Sequence, residues 1–191
     1  MGRRPRVCVL AGPNGAGKTT SAAPLVRDRW GIATFVNADV IAQGLAGFAA
    51  DAAAIAAGRL MLEQLDALAR ERADFAFETT LASRSFLPRL AAMRAEGYEV
   101  LLVFLWLPAV ELALLRVKER VRSGGHDVPE ATVRRRFRRG IANFHGLYRP
   151  AVDRWWCLDG SRVPPQLVAE GGADSLVVHT ADVWQRILDA T

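Results

Sequence analysis

The segment GPNGAGKT, at residues 12–19, constrains the fold of this chain more than any other. It follows the apolar run RVCVL at residues 6–10 and leads into a predicted helix at residues 17–29. Its fixed positions match the pattern G-x-x-x-x-G-K-[ST] of a phosphate-binding loop, or P-loop. In such loops, glycines let backbone N–H groups surround phosphates, and the following helix points its positive end at them. The sequence therefore predicts a nucleotide triphosphate site between a first strand and a first helix.

Two side chains of this loop have predicted tasks. Lys18 should reach the β- and γ-phosphates, and the hydroxyl of Thr19 should bind Mg²⁺. Of 25 basic residues only Lys18 and Lys118 are lysines, so a lysine at the loop position that needs a compact ammonium supports the motif. ATP is favoured because the chain has no N-K-x-D guanine motif. The predicted nucleotide-binding residues are Gly12, Pro13, Asn14, Gly15, Ala16, Gly17, Lys18, Thr19 and Thr20.

Short apolar runs alternate with longer helical patterns along the chain, which predicts an α/β fold. The runs are continuous rather than alternating, as in strands buried on both faces of a parallel sheet. The predicted strands are 6–10, 33–37, 74–78, 99–106, 154–158 and 175–179, and the predicted helices are 17–29, 39–46, 49–72, 84–96, 109–122, 130–146 and 181–190. We expect one domain over residues 1–191, a three-layer P-loop NTPase sandwich with a mainly parallel sheet of five to six strands. Residues 159–174 are predicted to be a loop.

The composition is that of a soluble globular protein, with 51% hydrophobic and 24% charged residues. No apolar run approaches the ~20 residues that a membrane span requires, and the longest, at residues 100–110, is interrupted by Pro108. We therefore expect no membrane association and a cytoplasmic location. Cys8 and Cys157 lie in apolar stretches, so we expect free thiols in the core.

The net positive charge is concentrated at residues 116–139. This segment has nine basic and three acidic residues, whereas the rest of the chain has 16 basic and 17 acidic ones. Arginine matches the geometry of phosphate, and the segment has a helix–glycine–helix pattern. We interpret it as a lid that closes over ATP; a solvated helical face is the simpler alternative.

Two acidic residues follow predicted strands at the edge of the sheet where the P-loop lies. Asp39 follows the strand at 33–37 and can accept the proton of a substrate hydroxyl, or it can cap the next helix. Glu78 ends the strand at 74–78 and can bind substrate hydroxyls or support Mg²⁺ through water. Phosphoryl transfer needs an aligned acceptor, a base and positive charge. This combination predicts a kinase of a small hydroxyl-bearing metabolite.

Several alternatives follow from the same residues. Transporter-type ATPases carry a similar P-loop, and RSGGHD at residues 122–127 is close to their second signature, but the next apolar strand ends at Asp159 without the expected glutamate. A nucleic-acid-stimulated ATPase would use the arginines as a phosphate track, although only Phe137 is interleaved with them. A kinase of nucleic-acid ends or antibiotics, and a nucleotide switch without catalysis, also stay open.

Six segments together resemble the zeta-toxin-like P-loop kinases, in particular their short stand-alone branch. These are GPNGAGKTT, FVNADVIA, FAFETTLASRS, GYEVLLVFLWL, RVKERVRSGGHDVPEATVRRRFRRG and DGS, and the resemblance covers residues 6 to 165. It implies the fold of a small P-loop kinase and transfer of phosphate from ATP to the 3′-hydroxyl of UDP-N-acetylglucosamine. It places Asp39 on the family's catalytic base, Glu78 on a substrate-binding acid, and Arg120 and Arg134 on two lid arginines.

The predicted site combines these inferences. The catalytic residues are Asp39, Lys18, Arg120 and Arg134; the substrate-binding residues are Asp39, Glu78, Thr80 and Arg84; Arg122 and Arg135 belong to the lid, and Thr19 binds the metal. The chain differs from the classical toxins in its length and in the P-loop sequence PNGA. The resemblance therefore does not determine whether the acceptor is a sugar or whether the protein has an antitoxin partner. We expect a small-molecule substrate, with a nucleotide sugar favoured, and no nucleic acid.

Overall fold

A seven-stranded sheet forms the centre of the computed structural model, which describes residues 3–45, 50–125 and 127–190. The strands are β1 (Arg6–Ala11), β2 (Thr34–Val36), β3 (Phe75–Thr79), β4 (Glu99–Trp106), β5 (Arg154–Asp159), β6 (Gln166–Gly172) and β7 (Leu176–Val178). Their order is β2-β3-β1-β4-β5-β6-β7. The pairs from β2 to β5 are parallel, and β6 and β7 are antiparallel. The predicted class, a mainly parallel P-loop α/β fold, is confirmed.

Helices cover both faces of the sheet. They are α1 (Lys18–Ala22), α2 (Asp28–Trp30), α3 (Ala38–Leu45), α4 (Ala50–Arg70), α5 (Leu87–Ala95), α6 (Val110–Arg122), α7 (Glu130–Asn143) and α8 (Ala181–Asp189). A π-helical turn, Ala23–Arg27, joins α1 to α2, and another, Phe144–Tyr148, follows α7. The predicted helices 39–46 and 49–72 each include a terminal residue outside the described ranges. None of the described helices is long and apolar enough to span a bilayer.

Strand β6 corrects the sequence prediction, because it lies in the segment 159–174 that we expected to be a loop and raises the strand number above the predicted five to six. Gly171 in this strand has a packing role. A Cβ atom there would lie 2.2 Å from the Ser175 carbonyl oxygen and 2.7 Å from the Trp155 ring. The strand is nevertheless part of the core, since Ala169 is fully buried.

Side chains alternate between two apolar cores on the two faces of the sheet, as the two-residue period of a strand requires. In β1, Val7 and Val9 belong to one core and Cys8 and Leu10 to the other. Both faces are covered, which explains the continuous apolar runs of the sequence. Cys8 and Cys157 are buried free thiols, as expected.

Asp74 holds the amino-terminal ends of β1 and β3 together. Its Oδ1 accepts the backbone N–H of Arg6 at 2.8 Å, and its Oδ2 accepts the Arg6 guanidinium at 3.0 Å. Arg3 donates to the same carboxylate. Burial alone would raise the pKa of Asp74, but the hydrogen bonds from Arg3 and Arg6 outweigh it and lower the pKa below its ordinary value.

The Asp74→Asn variant should therefore be less stable and less sensitive to acid. A depressed carboxyl pKa adds stability above the ordinary value of 3.8, and this stability is lost as the pH falls through the folded-state pKa. We expect the variant to lose roughly 1–2 kcal/mol of unfolding free energy at pH 7, and the difference from wild type to shrink towards pH 2. Urea unfolding from pH 2 to 7 measures this, and a difference constant over that range would contradict it.

Candidate active site

The P-loop connects β1 to α1 at the carboxyl edge of the sheet. Gly12 has φ 144°, and a Cβ atom there would lie 2.3 Å from the Leu105 carbonyl oxygen, so only glycine fits against β4. Gly17 precedes α1 with φ 81°, in the left-handed region. The loop therefore has the backbone geometry of an anion-binding turn at a helix N-terminus.

Lys18 is the buried cation of the loop. Only 6% of its surface is exposed, its Nζ donates to the Pro13 carbonyl at 2.9 Å, and the same atom lies 3.5 Å from Glu78 Oε1. Burial lowers the pKa of Lys18, and the negative charges of Glu78 and Asp39 oppose this effect. Lys18 is thus a desolvated cation that a phosphate group would stabilise further.

Glu78 and Thr19 are in direct contact. Thr19 Oγ1 donates to Glu78 Oε2 at 2.7 Å, and the Asn37 amide donates to the same carboxylate oxygen at 2.9 Å. These residues come from β3, α1 and the end of β2, so the contact joins three elements at the sheet edge.

Asn37 also caps α3, a role that the sequence analysis did not assign. Its Oδ1 accepts the backbone N–H of Asp39 at 2.8 Å, and its carbonyl accepts the N–H of Ile41 at 3.1 Å. An asparagine before a predicted helix is a helix-start signal that could have identified it. Since Asn37 is the cap, the capping alternative for Asp39 is wrong, and Asp39 lies in the first turn of α3.

A cleft of about 620 Å³ lies beside the P-loop. Most of the predicted site residues line it, namely Asn14, Gly15, Gly17, Lys18, Thr19, Thr20, Asp39, Glu78, Thr80 and Arg120. Gly12, Pro13 and Ala16 of the same loop are buried and are not part of the cleft lining. The cleft thus brings together the predicted nucleotide loop, base and substrate-binding acid.

The arginines of α7 are arranged differently from the prediction. Arg136, which the sequence analysis did not select, lines the cleft; burial lowers its pKa, and Asp39 opposes this. Arg134 instead pairs with Glu130 at 2.8 Å and Glu111 at 3.2 Å. An α-helix has 3.6 residues per turn, so three successive arginines cannot face the same side. Among the described residues, the cleft lining does not include Arg84, Arg122, Arg134 or Arg135.

Arg116 connects the P-loop to the loop after β5, another role that no sequence pattern indicated. Its Nη1 donates to the carbonyl of Gly160 at 2.7 Å and to that of Gly15 at 3.2 Å, and its Nη2 donates to Ser161 at 3.3 Å. Helix α6, which also carries Arg120, is therefore fixed to the phosphate loop at this point.

Helix α7 and the π-helical turn after it hold the loop that follows β3. The Asn143 amide donates to the Leu81 carbonyl and the Tyr148 hydroxyl donates to the Ser83 carbonyl, each at 2.7 Å. A Cβ atom at Gly140 would lie 2.5 Å from the Thr80 carbonyl oxygen, so the backbones are in close contact. The helix that carries Arg136 and the loop that lines the cleft therefore pack as one unit.

A family model described as an AAA domain matches residues 7–144. The chain belongs to this AAA-domain family. An uncharacterized protein of Haemophilus influenzae is 29% identical to it over 126 residues, which cover 66% of this chain and 88% of that protein.

Solved structures of similar fold include a chain of the AvrRxo1-ORF1:AvrRxo1-ORF2 complex with sulphate ions, at a TM-score of 0.77 and 17% identity, and the complex with ATP, at 0.75 and 19%. Each match covers 97% of this chain but 64% of the other, so the chain spans less than two thirds of those relatives. A chain of the PezAT chromosomal toxin-antitoxin system of Streptococcus pneumoniae matches at 0.67 and 18%, covering 97% and 79% of the two chains. The predicted zeta-toxin-like P-loop kinase fold is confirmed.

The Glu78→Gln variant tests the electrostatics of Lys18. Because Glu78 raises the pKa of Lys18 against the effect of burial, its removal should lower that pKa further. If the ammonium binds phosphate, ATP affinity should decline with rising pH, and the decline should begin at a lower pH in the variant. Titration with a fluorescent ATP analogue without Mg²⁺, from pH 6 to 10, measures this, with the exposed Glu71→Gln as control. Identical pH profiles for wild type and Glu78→Gln would show that the two charges are not coupled.

Proposed function

We propose that this protein is an ATP- and Mg²⁺-dependent kinase of a small hydroxyl-bearing metabolite, with a nucleotide sugar as the favoured acceptor. The observation that carries the proposal is that the P-loop lysine, a carboxylate suited to be the base, and two arginines besides Arg116 line one cleft. These are Lys18, Asp39, Arg120 and Arg136. Phosphoryl transfer depends on positioning and on electrostatic stabilisation, which these groups supply.

The donor half of the cleft fits a nucleotide triphosphate. The backbone of the P-loop and the buried Lys18 provide donors for the β- and γ-phosphates, and Arg120 adds positive charge. The structure of the AvrRxo1-ORF1:-ORF2 complex with ATP, which has a similar fold, supports ATP as the donor.

Thr19 and Glu78 fit a Mg²⁺ ion bound together with the nucleotide. Their oxygens lie 2.7 Å apart beside the P-loop, and Mg²⁺ is commonly held by one or two protein oxygens, waters and substrate phosphates. When bound, the ion would neutralise charge that develops on the phosphates. Asn37 would keep Glu78 oriented through its 2.9 Å hydrogen bond.

Asp39 is the proposed base. It would take the proton of the acceptor hydroxyl as the hydroxyl oxygen forms a bond to the γ-phosphorus and the bond to the β,γ-bridging oxygen breaks, which releases ADP. Glu78 is less suited because its oxygens already contact Lys18, Thr19 and Asn37.

Residues 116–139 are the proposed lid of a single kinase domain. Arg116 fixes α6 to the P-loop, and α7 is bonded to the loop after β3, so closure would move α7, with Arg136, together with that loop. A cognate antitoxin is a further proposed partner, supported by the fold of the PezAT chain.

Incubation with Mg-ATP and a panel of nucleotide sugars, nucleosides and aminoglycosides tests the proposal. We expect one class of acceptor to gain the mass of one phosphoryl group, with Lys18→Ala as the inactive blank. No product, together with ATP hydrolysis that RNA or DNA stimulates, would favour the nucleic-acid-dependent ATPase instead.

The Asp39→Asn variant tests the base. It keeps the size of the side chain and cannot accept the proton, so kcat should fall by at least about 100-fold. Nucleotide affinity, measured separately with the fluorescent ATP analogue, should change little. Full turnover in this variant would exclude Asp39 as the base.

Arg136→Ala and Arg134→Ala form a matched pair on α7. Arg136 lines the cleft, so its loss should lower kcat by roughly 100- to 1,000-fold, whereas loss of the half-exposed, ion-paired Arg134 should have little effect. Steady-state kinetics with the identified acceptor distinguishes the two. A larger loss for Arg134→Ala would restore the arginine assignment predicted from the sequence.

A further inference from the structure

Helix α4 contains a glycine that the helix itself does not require. Gly58 follows Ala56 and Ala57 in the interior of this 21-residue helix, where glycine is less stable than alanine. Its backbone is not left-handed, and an added Cβ atom would meet nothing within 4 Å. Neither the backbone conformation nor the packing of the protein alone explains the residue.

Gly58 lies on the side of α4 that faces the candidate active site. Gly58, Met61 and Leu62 all line the cleft, and positions i, i+3 and i+4 share one face of a helix. The neighbouring face, with Ala57 and Leu65, is buried in the protein, and Met61, which is 3% exposed, lies at the border between this face and the cleft. The open space at Gly58 therefore belongs to the cleft.

The cleft around this space has one apolar and one polar side. Phe86 adds to the apolar surface of α4, while Thr80, Ser83 and Ser85 bring hydroxyl groups from the loop after β3. Asp39 and Arg136 line the same cleft, and the charge of Asp39 acts on Arg136. This combination suits a molecule with a flat ring, several hydrogen-bonding groups and a negative charge.

We propose that Gly58 determines acceptor specificity, because it leaves room for the ring of an anionic, nucleotide-like acceptor to pack on Met61 and Leu62. The anionic group of the acceptor then lies near Arg136, and its reactive hydroxyl lies near Asp39. This inference rests on the proposed kinase function and adds the surface that the acceptor contacts.

The variants Gly58→Ala and Gly58→Leu test the inference, and Ala56→Leu, on the exposed side of the same helix, is the matched control. Gly58→Ala should raise Tm by about 2 °C, since alanine favours the helix, and yet raise the KM for the acceptor by about tenfold. Gly58→Leu should lower kcat/KM for the acceptor by more than about 100-fold. The Kd for the fluorescent ATP analogue should stay within about twofold in both, and Ala56→Leu should match wild type throughout.

The opposite changes in stability and acceptor use distinguish a specificity role from a structural one. The acceptor is the nucleotide sugar of the panel that the wild type phosphorylates; phosphorylation of a nucleoside or an aminoglycoside instead would overturn the inference. An unchanged acceptor KM in both Gly58 variants, or an equal loss of ATP affinity, would overturn the inference and leave the kinase function intact. If the wild type phosphorylates no panel member, the proposed function fails and this inference fails with it. Gly58→Ala carries the test if Gly58→Leu does not fold.

Discussion

The contact of Glu78 with Lys18 and Thr19 is the interaction on which the site depends. A buried cation is costly unless a charge or a dipole compensates it, and Lys18 obtains this from Glu78 and the Pro13 carbonyl. The parallel pairing of β1 with β3 sets Glu78 opposite Leu10, just before the P-loop. The register of the sheet thus places the carboxylate where the loop lysine needs it, and Asn37 extends the contact to the start of α3.

Around this contact, the cleft has two halves, and different interactions hold each of them in place. The proposed donor half is fixed by backbone packing and by Arg116, which donates hydrogen bonds to carbonyls on both the P-loop and the loop after β5. The proposed acceptor half consists of side chains from α3, α4 and the loop after β3, and Asn143 of α7 and Tyr148 of the following π-helical turn hold that loop. A movement of α7 would therefore move Arg136 and this loop together, which would link binding of the proposed acceptor to the position of an arginine.

The sequence predicted the position of the P-loop because the loop is a local backbone motif. It also predicted that Asp39 and Glu78 would lie near the P-loop, because the carboxyl ends of parallel strands meet at one edge of the sheet. It could not predict contacts between side chains and distant backbone. The bond from Arg116 to Gly15 joins residues 101 positions apart, and no local pattern encodes it. The sequence does not show which of the successive arginines on α7 faces the cleft, so it could not distinguish Arg136 from Arg134. Strand β6 was missed because Gly171, which accommodates Trp155, also resembles a turn residue.

The distribution of charge in the fold distinguishes between the possible functions of the basic segment, residues 116–139. The cleft is lined by four cations, Lys18, Arg116, Arg120 and Arg136, and by two carboxylates, Asp39 and Glu78. Its excess of positive charge attracts a polyanion of the size of ATP. On the other side of α7, Glu111 and Glu130 pair with Arg134 and reduce the positive charge that a nucleic-acid track would need. The basic segment is therefore divided in the fold: Arg116, Arg120 and Arg136 line the cleft, where their charge favours a small anionic substrate, and the other basic residues of the segment lie outside the cleft.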